Sequence, residues 1–176
     1  LACIHPGLYF RYTHAAHHTH TQIRGKDSEL ILSGPRTLGD YLIYCSAFPY
    51  WKRNLTWLFR HAAGLIEPEA GTVIPESERP RIIFEARAML TVYGLVAVVA
   101  LATGSWGPII YFVLPKLAGE PLQRVIRVAE HVGCAEGPDP RRNTRTTITN
   151  PLMQALCWNM PFHSEHHMFP SVPFHT

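Results

Sequence analysis

Residues 88–115 contain no charged side chain, and within that run AMLTVYGLVAVVALAT and IIYFVLP are separated by Gly104-Ser105-Trp106-Gly107-Pro108. One bilayer crossing needs about 20 apolar residues, so the run is long for one helix and short for two ideal ones. Two glycines and a proline in so short a stretch are strong punctuation. They predict a transmembrane hairpin over 82–128, whose arms borrow length from the residues on either side. Arg79, Arg81 and Arg87 precede the run and Lys116, Arg124 and Arg127 follow it, while the turn is uncharged. The positive-inside rule then puts both ends of the hairpin in the cytoplasm. A buried hairpin of a soluble protein is the alternative.

Residues 41–65 follow a different pattern. Apolar positions there alternate with Tyr44, Tyr50, Trp51, Trp57, Lys52, Arg53 and Arg60, the makeup of a helix lying in the membrane interface. His61 reads as a polar residue of that interface. Residues 67–81 are polar and carry Pro68, Pro75 and Pro80, which predicts a loop leading into the hairpin. No segment has strand alternation strong enough to compete, so the fold class is all-α: an integral membrane helical domain with cytoplasmic interfacial helices.

Composition agrees with this picture and removes other classes. Of 176 residues, 47% are hydrophobic and 16% charged, a balance that leans toward a chain partly in lipid. A formal net charge of +3 without a basic stripe gives nucleic-acid binding no support. Cys3, Cys45, Cys134 and Cys157 form no C-x-x-C pair, so they read as reduced, packed thiols rather than a disulfide framework.

Candidate chemistry enters through a pattern written twice, His14-Ala15-Ala16-His17-His18 and His163-Ser164-Glu165-His166-His167. At roughly 100° per residue, the three histidines of each H-x-x-H-H box fall within an arc of about 100° on one helix face. Imidazole suits iron, zinc, copper and nickel, and six imidazoles exceed one tetrahedral ion. Two metals, or one metal with redundant ligands, are the options. Parity links the boxes to the hairpin: two crossings return the chain to the side it left, where the boxes can share metals. Glu165 points away from its box and suits a salt bridge, while His5, His20 and His175 suit local hydrogen bonds. Asn159 precedes His163 by one helical repeat, and Glu130 adjoins His131; both are candidates to support the metal site from outside its ligand shell.

The residues around the boxes resemble the membrane fatty acid desaturases. Tyr12-Thr13-His14-Ala15-Ala16-His17-His18-Thr19-His20-Thr21-Gln22 resembles the second histidine box of that family, and the stretch from Trp158-Asn159-Met160-Pro161-Phe162-His163 through Phe169-Pro170-Ser171-Val172-Pro173-Phe174-His175 resembles the third. Ala129-Glu130-His131-Val132-Gly133-Cys134 is similar to an additional histidine segment, and Asn143-Thr144-Arg145-Thr146-Thr147 to the approach to the last box in bacterial-type members. The likeness covers nearly the whole chain, as a single desaturase-like domain over 1–176. The family's first box has no counterpart, which leads to the expectation of a chain truncated at both ends, with the missing box and two helices upstream.

That resemblance implies a non-haem diiron centre on the cytoplasmic face, with O₂ as co-substrate. It implies His14, His17, His18, His131, His163, His166 and His167 as metal ligands, and further ligands from the absent box. This stretch alone is therefore expected to bind iron incompletely and to be inactive. The implied partners are a lipid acyl chain, the membrane and a small electron-transfer protein of ferredoxin, rubredoxin or cytochrome b5 type. Leu152, Met153, Trp158, Met160 and Phe162 are candidates to line the acyl path. A hydroxylase or carotenoid ketolase would share these features. A zinc hydrolase fits less well, because Ser164 stands where H-E-x-x-H needs a glutamate, and a non-catalytic metal-binding membrane protein is the remaining alternative.

Overall fold

A computed structural model describes residues 4, 6–30 and 34–173. His5, His175 and Cys3 lie outside the described residues. The described chain is all-helical, its one β-like feature being an isolated bridge between Thr146 and Phe162.

Helix α1 (Gly7–His20) carries the first box. Its start has no side-chain cap of its own. The orphan amide of Leu8 is satisfied instead by Glu85 Oε2, 3.0 Å away on a later helix, which places a carboxylate at the positive end of α1.

The interfacial stretch differs from the single helix expected over 41–65. It forms α2 (Leu38–Cys45) and α3 (Phe48–Ala62), broken at Ala47 with φ 59°. Pro49 explains the position of the break. It has no amide to donate to the carbonyl of Cys45, where α2 ends. A Thr37–Asp40 capping box starts α2. Leu38, Leu42, Phe48, Leu55 and Phe59 remain exposed on the pair.

The stretch 67–81 also departs from a plain loop. It contains α4 (Pro68–Gly71) and a single 3₁₀ turn, Glu76–Glu78, and Arg79 already belongs to α5 (Arg79–Thr103). Pro80 is tolerated there because an amide in the first helical turn has no partner to lose. At its base α5 packs on α1 and α3, burying Ile82 and Ala86. Tyr9, Ile74 and Ile82 form a small core there, backed by Trp57 and Ile66. Beyond that base Leu95, Val96, Val98, Val99 and Leu101 are exposed. An apolar surface on every side of a helix belongs in lipid or in a large core. The helical stretch Glu76–Thr103 is the one among the described residues that is long and apolar enough to cross a membrane.

Gly104, at φ 63°, ends α5, and the amide of Ser105 returns to Ala100 O at 2.9 Å. The chain resumes as a π-helical segment, Ile109–Val113, which runs into α6 (Leu114–His131). Pro115 cannot donate to the carbonyl of Tyr111, and the widened register accommodates that loss. Unlike the uncharged stretch 88–103 of α5, α6 carries charges along its length. Buried Glu120 holds Arg124 at 2.6 Å and Lys116 at 2.9 Å. The chain closes with α7 (Pro140–Asn143), α8 (Pro151–Leu156) and α9 (His163–Met168), the last carrying the second box.

Candidate metal centre

Helices α1, α6 and α9 bring all seven singled-out histidines together. They fall into two groups, each with its ligand nitrogens within 4.8 Å of one another: His17, His131, His163 and His167 in one, His14, His18 and His166 in the other. Each box is divided between the groups, in opposite senses. Positions one and five of a box are about 40° apart on a helix, whereas position four lies about 60° to the other side of position one. Accordingly α1 gives its one–five pair, His14 and His18, to the three-histidine group and His17 to the other. Helix α9 does the reverse, giving His163 and His167 to the four-histidine group and His166 to the smaller one. The boxes therefore interlock, and neither builds a site alone.

The outer nitrogens of His14, His17, His131 and His167 are fixed by surrounding groups. His17 Nδ1 lies 2.9 Å from Asp27 Oδ1, and His14 Nδ1 lies 2.6 Å from Glu29 Oε1. His131 Nδ1 donates to the carbonyl of Asn143 at 3.1 Å. The Thr21 hydroxyl donates to His17 O at 2.6 Å and so accepts from His167 Nδ1 at 3.2 Å. In each case the acceptor assigns the proton to Nδ1 and leaves Nε2 with a bare lone pair.

Those bare nitrogens face one another. His131 and His163 Nε2 are 2.8 Å apart, His163 and His167 Nε2 3.2 Å, and His14 and His18 Nε2 3.2 Å. His163 carries at most one Nε2 proton, so it cannot serve both neighbours. Nitrogens bound to a shared ion at about 2.1 Å and at right angles would lie about 3 Å apart. The donor set thus fits one metal ion per group. Electrostatics favour the unprotonated rings as well. Burial and then neighbouring imidazoles lower the pKa of His18 to about 4. Burial also lowers that of His131 to about 4, against a smaller opposite effect of its bond to Asn143. His163, His166 and His167 are lowered, chiefly by burial. His17 is the exception: burial lowers it, but the bond to Asp27 and the charges of Glu29 and Asp27 raise it further.

Glu130 takes a place beside the centre, its Oε2 3.8 Å from His163 Nε2. Asn159 does not share a helix with His163. Trp158 and Asn159 both have positive φ, and α9 begins only at His163, so the one-repeat spacing does not translate into a common face. His61, read as interfacial, is fully buried and lies 2.9 Å from Glu67 Oε2. The Tyr9 ring of α1 lies against it, with ring centroids 4.5 Å apart. Glu165 accepts from the Thr146 hydroxyl instead of forming a salt bridge. Asp27, Glu29, Thr21 and Asn143 were not foreseen. The one signal was that Asp27 and Glu29 are the first acidic residues after the first box.

Against both groups lies a cavity of about 670 Å³. It is lined by His14, His131 and His166 and by the apolar Phe10, Ile126 and Met160. Trp158 also lines it, as expected, whereas Leu152, Met153 and Phe162 do not.

The described chain is all-helical, with one helix long and apolar enough to cross a membrane and two imidazole clusters that could each hold a metal ion. Among known families the chain matches fatty acid desaturase over residues 1–176, and it belongs to that family. No curated protein and no solved structure gives a significant match. Membership carries an oxidoreductase function of desaturase type and association with the membrane.

Proposed function

We propose that the full-length protein desaturates a lipid acyl chain, using O₂ at a diiron centre held in part by His14, His17, His18, His131, His163, His166 and His167. The net reaction converts –CH₂–CH₂– with O₂, two electrons and two protons into –CH=CH– and two waters. One observation carries the reading: the interlocked histidine groups open onto one cavity, walled in part by apolar side chains, in a chain of this family. Bound iron would supply the reductive activation of O₂ that no side chain can provide.

The protein's own residues do the rest. Asp27, Glu29, Thr21 and the Asn143 carbonyl hold the imidazoles in the tautomer that presents Nε2. Phe10, Ile126, Met160 and Trp158 offer an acyl chain an apolar wall within reach of those rings. Placement against the rings selects which methylenes react. In this reading the stretch 82–128 crosses the membrane as a hairpin, leaving the centre on the cytoplasmic face, and a small redox protein supplies electrons.

Lipid profiling of a host expressing the full-length gene tests the proposal. New unsaturated acyl chains that require O₂ and vanish in His17→Ala are expected. Hydroxylated or ketolated products would move the assignment to another oxygen-dependent branch. Stoichiometric zinc without O₂ uptake would contradict it.

A further inference from the structure

We infer that a second cavity, between α1, α3, α5 and α6, binds one anionic phospholipid, its phosphodiester held by Arg53 and its acyl tail laid along α5. The cavity measures about 640 Å³ and no described histidine lines it. It is a site apart from the metal centre. The cavity beside the histidines meets it at a wall that includes Phe10, Glu29 and Arg127.

Its charge is unbalanced. Arg53, Lys116, Arg124 and Arg127 line it together with Glu29 and Glu85, and Glu120 stands behind Lys116 and Arg124 at 2.9 and 2.6 Å. Four cations face three carboxylates, which leaves one positive charge over. Arg127 has Glu29 at 3.6 Å, and Glu85 is turned to the Leu8 amide at 3.0 Å. Arg53 is left without a carboxylate partner among the described residues.

That guanidinium is set to take an anion. Trp57 covers one of its faces, with Cζ 4.6 Å from the ring centroid, and its donors lie on the edge. Nη1 donates to the Ser28 carbonyl at 3.4 Å, a long bond, whereas Nε is buried without a hydrogen-bond partner. Burial lowers the Arg53 pKa to about 10, which leaves it charged at neutral pH. A buried cation with an unused N–H is unfavourable. A phosphodiester supplies both the opposite charge and the acceptor oxygens, and its geometry matches the planar fork of a guanidinium.

The rest of the cavity suits a lipid tail rather than a free anion. Phe84, Ala88 and Val92 recur every four residues along α5, with Met89 beside them, so they form one apolar stripe. It rises about 12 Å at 1.5 Å per residue and continues into the exposed Leu95, Val96 and Val99. Tyr50 and Trp57 stand at the charged end, as aromatic rings do at headgroup level. A lipid with one net negative charge matches the one surplus cation.

The test uses the full-length protein in mild detergent, with dioleoylphosphatidylglycerol as the probe and native mass spectrometry as the readout. One phosphatidylglycerol should stay on each wild-type chain, and high salt should not strip it, because buried charges are screened far less than exposed ones. Arg53→Gln should weaken binding at least tenfold. Arg53→Lys should fall in between, since an ammonium keeps the charge and loses the fork. Arg60→Gln, at an exposed cation of the same helix, should behave as wild type. Met89→Trp leaves every cation in place and fills the apolar end; it should weaken binding as well, so the outcome does not hang on the folding of Arg53→Gln. Dioleoylglycerol, which lacks the phosphate, should not compete. Equal binding by wild type and Arg53→Gln, an equal loss in Arg60→Gln, or no lipid retained by wild type would overturn the assignment. Displacement of the lipid by an equal concentration of inorganic phosphate would overturn it too, because the site would then recognise the anion without the tail.

Discussion

The four-histidine group draws on α1, α6 and α9 and the three-histidine group on α1 and α9 alone, and the protein treats them differently. In the four-histidine group His17, His163 and His167 are buried, and three of its rings are fixed at Nδ1 by Asp27, Thr21 and the Asn143 carbonyl. In the three-histidine group every ring is half-buried and only His14 has such an anchor, Glu29. Glu29 also lies 3.6 Å from Arg127, so that single anchor is shared with a cation. The first group is a pocket organised by the fold in advance of any ligand. The second is less buried, with one outer anchor for three rings.

Loss of a ligand should produce the largest effect and make the groups equivalent. His131→Ala and His166→Ala, one from each group, should each abolish turnover in the full-length enzyme, measured as alkene formation. Wild-type rates in either would remove that residue from the centre. His61→Ala tests the opposite limit. It should keep the chemistry but cost about 3 kcal/mol in unfolding free energy, because it strands a buried carboxylate.

Removing the outer anchors should separate the groups. Asp27→Ala and Glu29→Ala should each weaken iron binding about 10- to 100-fold, the range known for outer-shell partners of metal ligands. The loss should fall on the four-histidine position in the first variant and on the three-histidine position in the second. Chelator competition followed by iron spectroscopy reads this directly, and the same population lost in both variants would erase the distinction drawn here.

Acid should act on both groups. The folded-state pKa values of His18 and His131 lie near 4, below the ordinary 6.5. As pH falls from 6.5 toward 4, the unfolded chain takes up protons that these rings refuse, so the metal-free fold loses stability across that window. His17, raised instead, contributes in the opposite sense. Denaturant midpoints at pH 7, 5.5 and 4.5 should therefore decline; a flat profile would contradict the buried, neutral assignment. The smallest effect belongs to Glu85→Ala. Loss of its bond to the Leu8 amide should cost about 1 kcal/mol, read by thermal unfolding, without changing metal affinity.

Much of the centre was legible because helical periodicity turns H-x-x-H-H into a one-face cluster, and the break at Gly104 was legible in its glycines and proline. The division of each box between two groups was not. It depends on how α1 and α9 face each other across α6, and spacing within one helix carries no information about that. Asp27 and Glu29 were hidden for a similar reason: loop residues reach the rings through backbone turns that no periodicity describes. The split at Ala47 was readable in hindsight from Pro49, but the amphipathic pattern runs through it without interruption. His61 was misplaced because a polar ring beside Arg60 looks interfacial until Tyr9 of α1 and Glu67 are brought against it.

Metal analysis with Mössbauer spectroscopy of the full-length protein in detergent tests the central claim most directly. Two irons per chain in two distinct environments are expected, one of them lost selectively in Glu29→Ala. A single iron, a single environment, or stoichiometric zinc would contradict the assignment of the interlocked histidines to two iron positions.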